Sequence, residues 1–506
     1  MTLRALARRP DRTAFVWNGG SLSYAGAYDL IGRLQAAMVA AGLKRGQTAA
    51  FLSANSAETW CAGIAAQGLG LVVTWLHPLG SLADHLDVVA DAGAFALVVD
   101  PKTHAQRGGE LAGQAALPVV LTMGSADFGR DVMSDADRIG SATPVDISHA
   151  GDYAIINYTG GTTGKSKGAM RRHRAVAAST LAVMAEFELP ETPRYLAAAP
   201  ITHVSGSLVI PSLIRGGTIH LLKGFEPDQF LATIEREKIN VTLMVPTMVY
   251  VMLDHPKLGA TDLTSLDLIL YGASPMSPTR LVEGLERIGP VFSQLYGQTE
   301  CYPVSLLRKA DHDAKRPELF ASCGHPVLSC HVTLRDDDNE EVRPGEAGEI
   351  CVRAPQAMEQ YWRRPEQTAE VFAGGWLHTG DIARADDRGY LYIVDRKKDM
   401  IVSGGFNVYP REVEDVLSSH PDVAMAAVIG VPHPKWGEAV KALVVARAGR
   451  PLVAEALIEF VRHRKGGTQA PKQVEFVDEL PLTAVGKVDK KVLRARYWEG
   501  HARQVG

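Results

Sequence analysis

The sequence predicts an α/β protein: a large N-terminal domain of stacked, largely parallel sheets with a small β unit, followed by a small α+β C-terminal domain. Three observations predict it. Up to about residue 300, short apolar runs alternate with helix-length stretches, the pattern of parallel strands joined by crossover helices. Those runs are apolar throughout rather than alternating, as strands covered on both faces are. After about residue 320 the chain turns polar and turn-rich. A charged joint, Asp395-Arg396-Lys397-Lys398-Asp399, then separates a compact C-terminal unit. The boundary falls there, giving domains 1–397 and 398–506.

The elements follow in order. Leu30, Ile31, Leu34, Met38 and Ala41 recur at helical spacing and Gly42 supplies a stop. Strands are expected at Phe95–Val99, Val119–Leu121, Ala154–Ile156, Tyr195–Ala199, Val241–Met244, Leu266–Leu270 and Val291–Leu295, with helices at Pro227–Lys238 and Pro278–Ile288. Glu349–Arg353 and Gly389–Val394 read as strands of the small β unit. Beyond the joint come a helix from Pro410, strands near Val423–Ile429 and Ala442–Ala446, and a helix near Val453–Arg462.

Composition narrows the function classes. The 506 residues are 46% hydrophobic and 22% charged, and 53 basic against 57 acidic side chains leave a formal net charge of −4. No basic excess marks a nucleic-acid or anionic-membrane surface. The five cysteines (Cys61, Cys301, Cys323, Cys330, Cys351) include no C-x-x-C pair, which fits reduced thiols and a cytoplasmic location. Met1–Arg12 is charged and has no apolar core of a secretory signal. Cys61–Leu76 is too short and too glycine-broken to span a membrane.

Five motifs carry chemistry. Thr159-Gly160-Gly161-Thr162-Thr163-Gly164-Lys165-Ser166-Lys167-Gly168 follows a strand-like run. Its glycines let backbone approach a ligand, and its hydroxyls and lysines suit phosphate oxygens. It is not a Walker A loop, because only three residues separate Gly160 from Gly164. Tyr296-Gly297-Gln298-Thr299-Glu300 places an aromatic ring and a carboxylate after a strand, where a base and Mg²⁺ bind. Thr379-Gly380-Asp381 offers a carboxylate to ribose hydroxyls. The charged joint running into Ser403-Gly404-Gly405-Phe406-Asn407 is the fourth motif. The fifth, Leu480-Pro481-Leu482-Thr483-Ala484-Val485-Gly486-Lys487, holds a lysine at a turn. Taken singly, that lysine reads as a solvated charge and His203 as a satisfied, partly buried histidine.

In this order the five motifs resemble the AMP-forming adenylating superfamily: acyl- and aryl-CoA synthetases, peptide-synthetase adenylation domains and luciferases. The resemblance spans nearly the whole chain and is greatest to free-standing acyl-CoA synthetases, through Asp395–Ile401, Ser403–Pro410 and Trp436-Gly437-Glu438. It implies an ATP-dependent ligase that forms acyl-AMP and pyrophosphate, then a CoA thioester and AMP, using ATP, Mg²⁺ and coenzyme A. The alternatives are an enzyme of one half-reaction, one serving a carrier protein, and a non-catalytic nucleotide-binding regulator.

By motif match Lys487, Glu300 and His203 are the catalytic residues. Thr159, Gly160, Gly161, Thr162, Thr163, Gly164 and Lys167 hold phosphates, with Thr159 and Glu300 near the metal. Gly272, Ala273, Ser274 and Tyr296 surround adenine, Thr299 reaches the α-phosphate, and Asp381 and Arg396 take the ribose. Lys398 is the hinge of a mobile C-terminal lid, and Gly404, Gly405 and Trp436 meet CoA after it swings. His203, Val204, Met244, Cys301, Tyr302 and Val304 are expected to face the acyl group, a mostly apolar set suited to a hydrophobic acid. Gly160 stands where the family commonly has serine, and Ser166 where it has proline. The expected partner is a small-molecule carboxylic acid, with no nucleic acid and no transmembrane segment; a homodimer is left open.

Overall fold

The structure is a computed structural model that describes every residue except 160–165, 275, 398, 404, 405, 435, 448, 451, 484–486 and 499–506, and the side chain of 407. Of the expected site residues, Gly160, Gly161, Thr162, Thr163, Gly164, Lys398, Gly404 and Gly405 therefore lie outside the described residues.

The apolar runs form strands and the stretches between them helices. Ser23 starts the helix Tyr24–Ala40 by accepting a hydrogen bond from Gly26 N, and Leu30, Ile31, Leu34 and Met38 are buried along one face. Gly42 follows the helix with a φ of 90°, a left-handed position that glycine takes without strain.

Among the described residues the strands form four sheets. In the first, Thr13–Trp17, Thr218–Leu221, Arg194–Ala197, Val241–Met244, Leu268–Gly272 and Phe292–Tyr296 run parallel in that order. Antiparallel strands close both of its edges. In the second, Tyr153–Tyr158, Val72–Trp75, Thr48–Leu52, Ala94–Val99 and Val119–Thr122 are parallel. Gly168–Arg172 and Gln360–Tyr361 add antiparallel strands beside Tyr153–Tyr158. One apolar core joins the two sheets, with Phe15 and Tyr195 from the first and Phe51 and Val73 from the second.

The small β unit is the antiparallel sheet His331–Arg335, Gly348–Arg353, Leu377–Ala385 and Leu391–Arg396. Its last strand runs two residues further than the expected one ending at Val394, because Arg396 pairs with Asp381 across the sheet. Part of the charged joint is thus strand, not linker. Similarly, Tyr296 ends its strand rather than following it. The fourth sheet belongs to the C-terminal unit, where Val423–His433 and Gly437–Ala446 form a long hairpin beside Ile401–Ser403, Phe406–Val408 and Gln473–Phe476. It has its own core around Val413, Leu417, Val428, Val440 and Leu457.

Cys61–Leu76 divides into the end of one helix and a strand, and no helix among the described residues is long and apolar enough to cross a membrane.

Candidate active site

Strands of both large sheets end at one place. Tyr296 and Gly272 terminate neighbouring parallel strands of the first sheet, and Tyr158 terminates a strand of the second. The carboxyl ends of such strands are where α/β folds place ligands. Here they open on a cleft of about 2360 Å³. A Cβ on Gly272 would lie 2.4 Å from the Leu295 carbonyl oxygen, so glycine serves close strand packing there. Gly272 is buried and does not line the cleft, contrary to expectation; Ala273 and Ser274 do. Ala273 adopts a φ of 66°, a strained conformation that persists only where surrounding structure imposes it.

Asp381 is held from several sides in the cleft. Only 5% exposed, it accepts from the Tyr296 hydroxyl at 2.7 Å and from Gln298 Nε2 at 2.6 Å, both on Oδ2. Gln298 also donates to the Thr379 carbonyl at 2.7 Å. Arg396 Nε lies 3.2 Å from the other oxygen, Oδ1. Burial, then the Asp381 charge, pushes the Tyr296 phenol well above its usual range, so it remains a donor. Burial opposes the charge on Arg396, but Asp381 and Asp399 outweigh it and raise its pKa. Carboxylate, aromatic ring and guanidinium therefore form one pre-arranged group. Gln298, which carries two of its bonds, was not singled out in the sequence, although it sits inside the motif.

The phosphate side has a closed base. Thr159 N donates to the Lys167 carbonyl at 2.9 Å, Lys167 N to Thr159 Oγ1 at 3.2 Å, and the Ser166 hydroxyl to the Thr159 carbonyl. Ser166 thereby bonds back to Thr159, which a proline could not do. Lys167 Nζ lies 4.4 Å from the centre of the Tyr361 ring, and the Tyr361 hydroxyl donates to Glu300 Oε1 at 2.6 Å. Among the described residues no cluster of three metal-ligating side chains occurs. The oxygen donors lining the cleft there, the Glu300 carboxylate and the Thr159 hydroxyl, are of the kind Mg²⁺ takes, since it binds one or two carboxylates and draws its remaining ligands from water and substrate phosphates. With Oε1 fixed by Tyr361, the Glu300 carboxylate is oriented for such a role, and both Thr159 and Thr299 line the same cleft.

His203, Val204 and Tyr302 line the same cleft, together with Trp75, His77 and Val176. Met244, Cys301 and Val304, expected to face the acyl group, are instead 0–1% exposed core residues. Met244 packs in the core beneath the first sheet with Ile269, and the other two in the core joining the sheets. His203 meets His77 edge-on with ring centres 4.5 Å apart. Burial, then the neighbouring His77, lowers the His203 pKa to about 3. Burial, then His85, lowers that of His77. Both rings are neutral at physiological pH, an uncharged pair suited to an apolar chamber. His77 was missed from sequence; a histidine before proline at a strand end was its available signal.

The C-terminal unit closes over this cleft. Lys487 lines it, and Thr483 N donates to the Lys487 carbonyl at 2.7 Å. Lys490 pairs with Glu414 at 2.8 Å, Arg494 with Asp399 at 2.7 Å, and Arg411 N donates to Asp395 at 3.0 Å. Burial raises the Asp395 pKa to about 6, against the pull of Lys490. Trp436 stacks on His433 at 4.2 Å and is not among the residues lining the cleft.

Comparison with known proteins agrees with this geometry. The profile of the AMP-binding enzyme family matches residues 3–362, and that of the AMP-binding enzyme C-terminal domain matches residues 412–487. The chain is 43% identical over 504 residues to a medium/long-chain-fatty-acid–CoA ligase, FadD8, of Mycobacterium tuberculosis, covering 96% of this chain and 87% of the relative. It is 37% identical to a feruloyl-CoA synthase from Amycolatopsis sp, covering 98% of each. Among solved structures, the amide bond synthetase McbA from Marinactinospora thermotolerans aligns with a TM-score of 0.91 at 35% identity, covering 98% of this chain and 99% of that one. The chain belongs to the AMP-binding enzyme family, with the two-part α/β fold of adenylate-forming enzymes, and is an AMP-forming CoA ligase.

Proposed function

We propose that the chain activates a hydrophobic carboxylic acid, fatty or aryl, as acyl-AMP and transfers the acyl group to coenzyme A within one cleft. The observation that carries this reading is that Asp381 with Arg396, Glu300 with Lys167, the His203 chamber and Lys487 all line the same cavity. In the first step the acid's carboxylate oxygen attacks the α-phosphorus of ATP and the bond to pyrophosphate breaks. In the second, the thiolate of CoA attacks the acyl carbon and the bond to AMP breaks.

Asp381 and Arg396 orient the ribose, while Tyr296, Ala273 and Ser274 flank the base. Thr159 and Lys167 neutralise the phosphates, and Lys487 and Thr299 stabilise charge building at the α-phosphate. Such a reaction depends mostly on positioning and charge neutralisation. Mg²⁺ held by Glu300 would add positive charge against the phosphates. His203 and His77 form the neutral wall between acid and incoming thiol. A lysine that serves the first step occupies space the thiol needs, which is the physical reason for a C-terminal domain, residues 398–506, that turns about Lys398 between steps. Gly404, Gly405 and Trp436 would then face CoA. Five free cysteines suit the cytoplasm.

A panel of fatty, phenylpropanoid and indole-type acids, assayed with ATP, Mg²⁺ and CoA, should release AMP and pyrophosphate with its best members. Release of ADP would refute the reading. The likeness to an amide bond synthetase supports a second acceptor, an amine, and repeating the panel with a primary amine in place of CoA decides between them.

A further inference from the structure

The strand Gly168–Arg172 has two faces. Met170 is buried in a small core with Val72, Ala92 and Ile156, while Arg171, on the other face, lines the cleft. Its guanidinium has five N–H donors. One nitrogen donates to Asn157 Oδ1 at 2.8 Å, a neutral partner. Nε is buried with no hydrogen-bond partner, and among the described residues no carboxylate lies within ion-pair distance. Glu300 is the acid whose charge reaches it, and that carboxylate is engaged by Tyr361. Burial lowers the Arg171 pKa from a very high starting value, so the group stays charged. Arg171 is half-buried with one neutral partner, and its unsatisfied buried Nε calls for an explanation in a native fold.

Location identifies the missing anion. Arg171 is four residues along the strand from Lys167, about 13 Å at 3.3 Å per residue. It pairs with Ile155 across the sheet, three residues back from Tyr158 and so set back from the phosphate loop, and it shares the cleft lining with Val176 and Ser179 of the helix that follows, whose Ser179 hydroxyl donates to the Tyr302 carbonyl of the acyl side.

We propose that Arg171 binds a carboxylate of the acid substrate, making it a specificity-determining residue of the acyl chamber. This rests on the ligase reading. The carboxylate is either the reacting one or a second one on a diacid, and both present the same planar pair of oxygens to a guanidinium.

The test uses the full chain and four probes: octanoate, octanedioate, 3-phenylpropanoate and its para-carboxy derivative. Their affinities, and that of ATP, are measured by calorimetric titration for the wild type, Arg171→Met and Arg171→Lys. Arg171→Met should lose about ten- to a hundredfold in carboxylate affinity with ATP affinity unchanged and melting temperature kept or raised. Arg171→Lys should lie between. Equal losses for all probes support the reacting carboxylate; losses confined to the two diacids support a second one. The proposal is overturned if the wild type binds none of the probes, if Arg171→Met weakens ATP instead, or if it lowers the melting temperature with acid affinities unchanged. Because binding is read directly, absence of AMP release in the acid panel would sink the ligase reading without being confused with these results.

Discussion

Replacing Asp381 by alanine should do two separable things. Its carboxylate is 5% exposed and accepts three protein contacts, two on Oδ2 and one on Oδ1. A carboxylate offers about four lone-pair sites, so Oδ1 keeps room for a ribose hydroxyl, and a second hydroxyl can bind if Arg396 moves aside. Arg396 is the contact able to move, being 43% exposed at its side chain and the longest of the three at 3.2 Å. Losing charge-assisted bonds worth about 1.5–3 kcal/mol should weaken AMP about ten- to a hundredfold. The same substitution strands the Tyr296 hydroxyl, at about 1–3 kcal/mol for an unsatisfied donor, while Gln298 keeps its bond to the Thr379 carbonyl. Melting should therefore fall by several degrees, at about 2–4 °C per kcal/mol for a domain of this size. Asp381→Asn, which keeps shape and one acceptor oxygen, should recover much of the melting temperature and little of the affinity. Calorimetric titration with AMP and thermal melts read both effects. AMP affinity within twofold of wild type for Asp381→Ala would place the ribose elsewhere.

Lys487→Ala should slow acyl-AMP formation about 10²–10³-fold, the usual cost of losing one preorganised donor, yet convert supplied acyl-AMP and CoA at near the wild-type rate; rapid-quench measurement of each half-reaction tests this, and equal slowing would refute the alternating lid. Tyr361→Phe frees Glu300 Oε1 and should raise the Mg²⁺ concentration for half-maximal adenylation about tenfold, read by Mg²⁺ titration at fixed ATP; an unchanged titration would remove Glu300 from the metal. His203 has a depressed pKa, so below about pH 6.5 the unfolded chain binds a proton that the folded chain refuses, and stability is lost as pH falls. Between pH 7 and pH 5 this amounts to about 2 kcal/mol, and His203→Asn should remove that part of the slope in urea unfolding.

Much of this was legible because sequence periodicity reports burial. The continuous apolar runs became parallel strands because both faces of each large sheet are covered, and Leu30, Ile31, Leu34 and Met38 fall on one buried helix face. Tyr296 at a strand end, Glu300 in the loop after it and Asp381 within the strand Leu377–Ala385 line one cleft, and they stood out in the sequence because each motif is a contiguous run. What the sequence could not report is which residues meet across the fold. Gln298 acts on Asp381 across 83 positions, and Tyr361 reaches Glu300 from an edge strand. His77 meets His203 where the two sheets converge. Met244, Cys301 and Val304 were assigned to the acyl wall by position near the motifs, but all three side chains are buried in the cores. An apolar residue looks alike in sequence whether it lines a cavity or fills a core.

If a covalent acyl-AMP joins the two steps, an oxygen of the acid must end in AMP. With the best acid of the panel labelled with ¹⁸O in its carboxylate, attack on the α-phosphorus carries one labelled oxygen across. When the acyl group leaves for CoA, that oxygen stays with phosphorus. Mass spectrometry of the products should show one ¹⁸O in AMP, none in pyrophosphate, and one in the acyl-CoA carbonyl. Unlabelled AMP, or label in inorganic phosphate beside ADP, would show that no acyl-AMP forms.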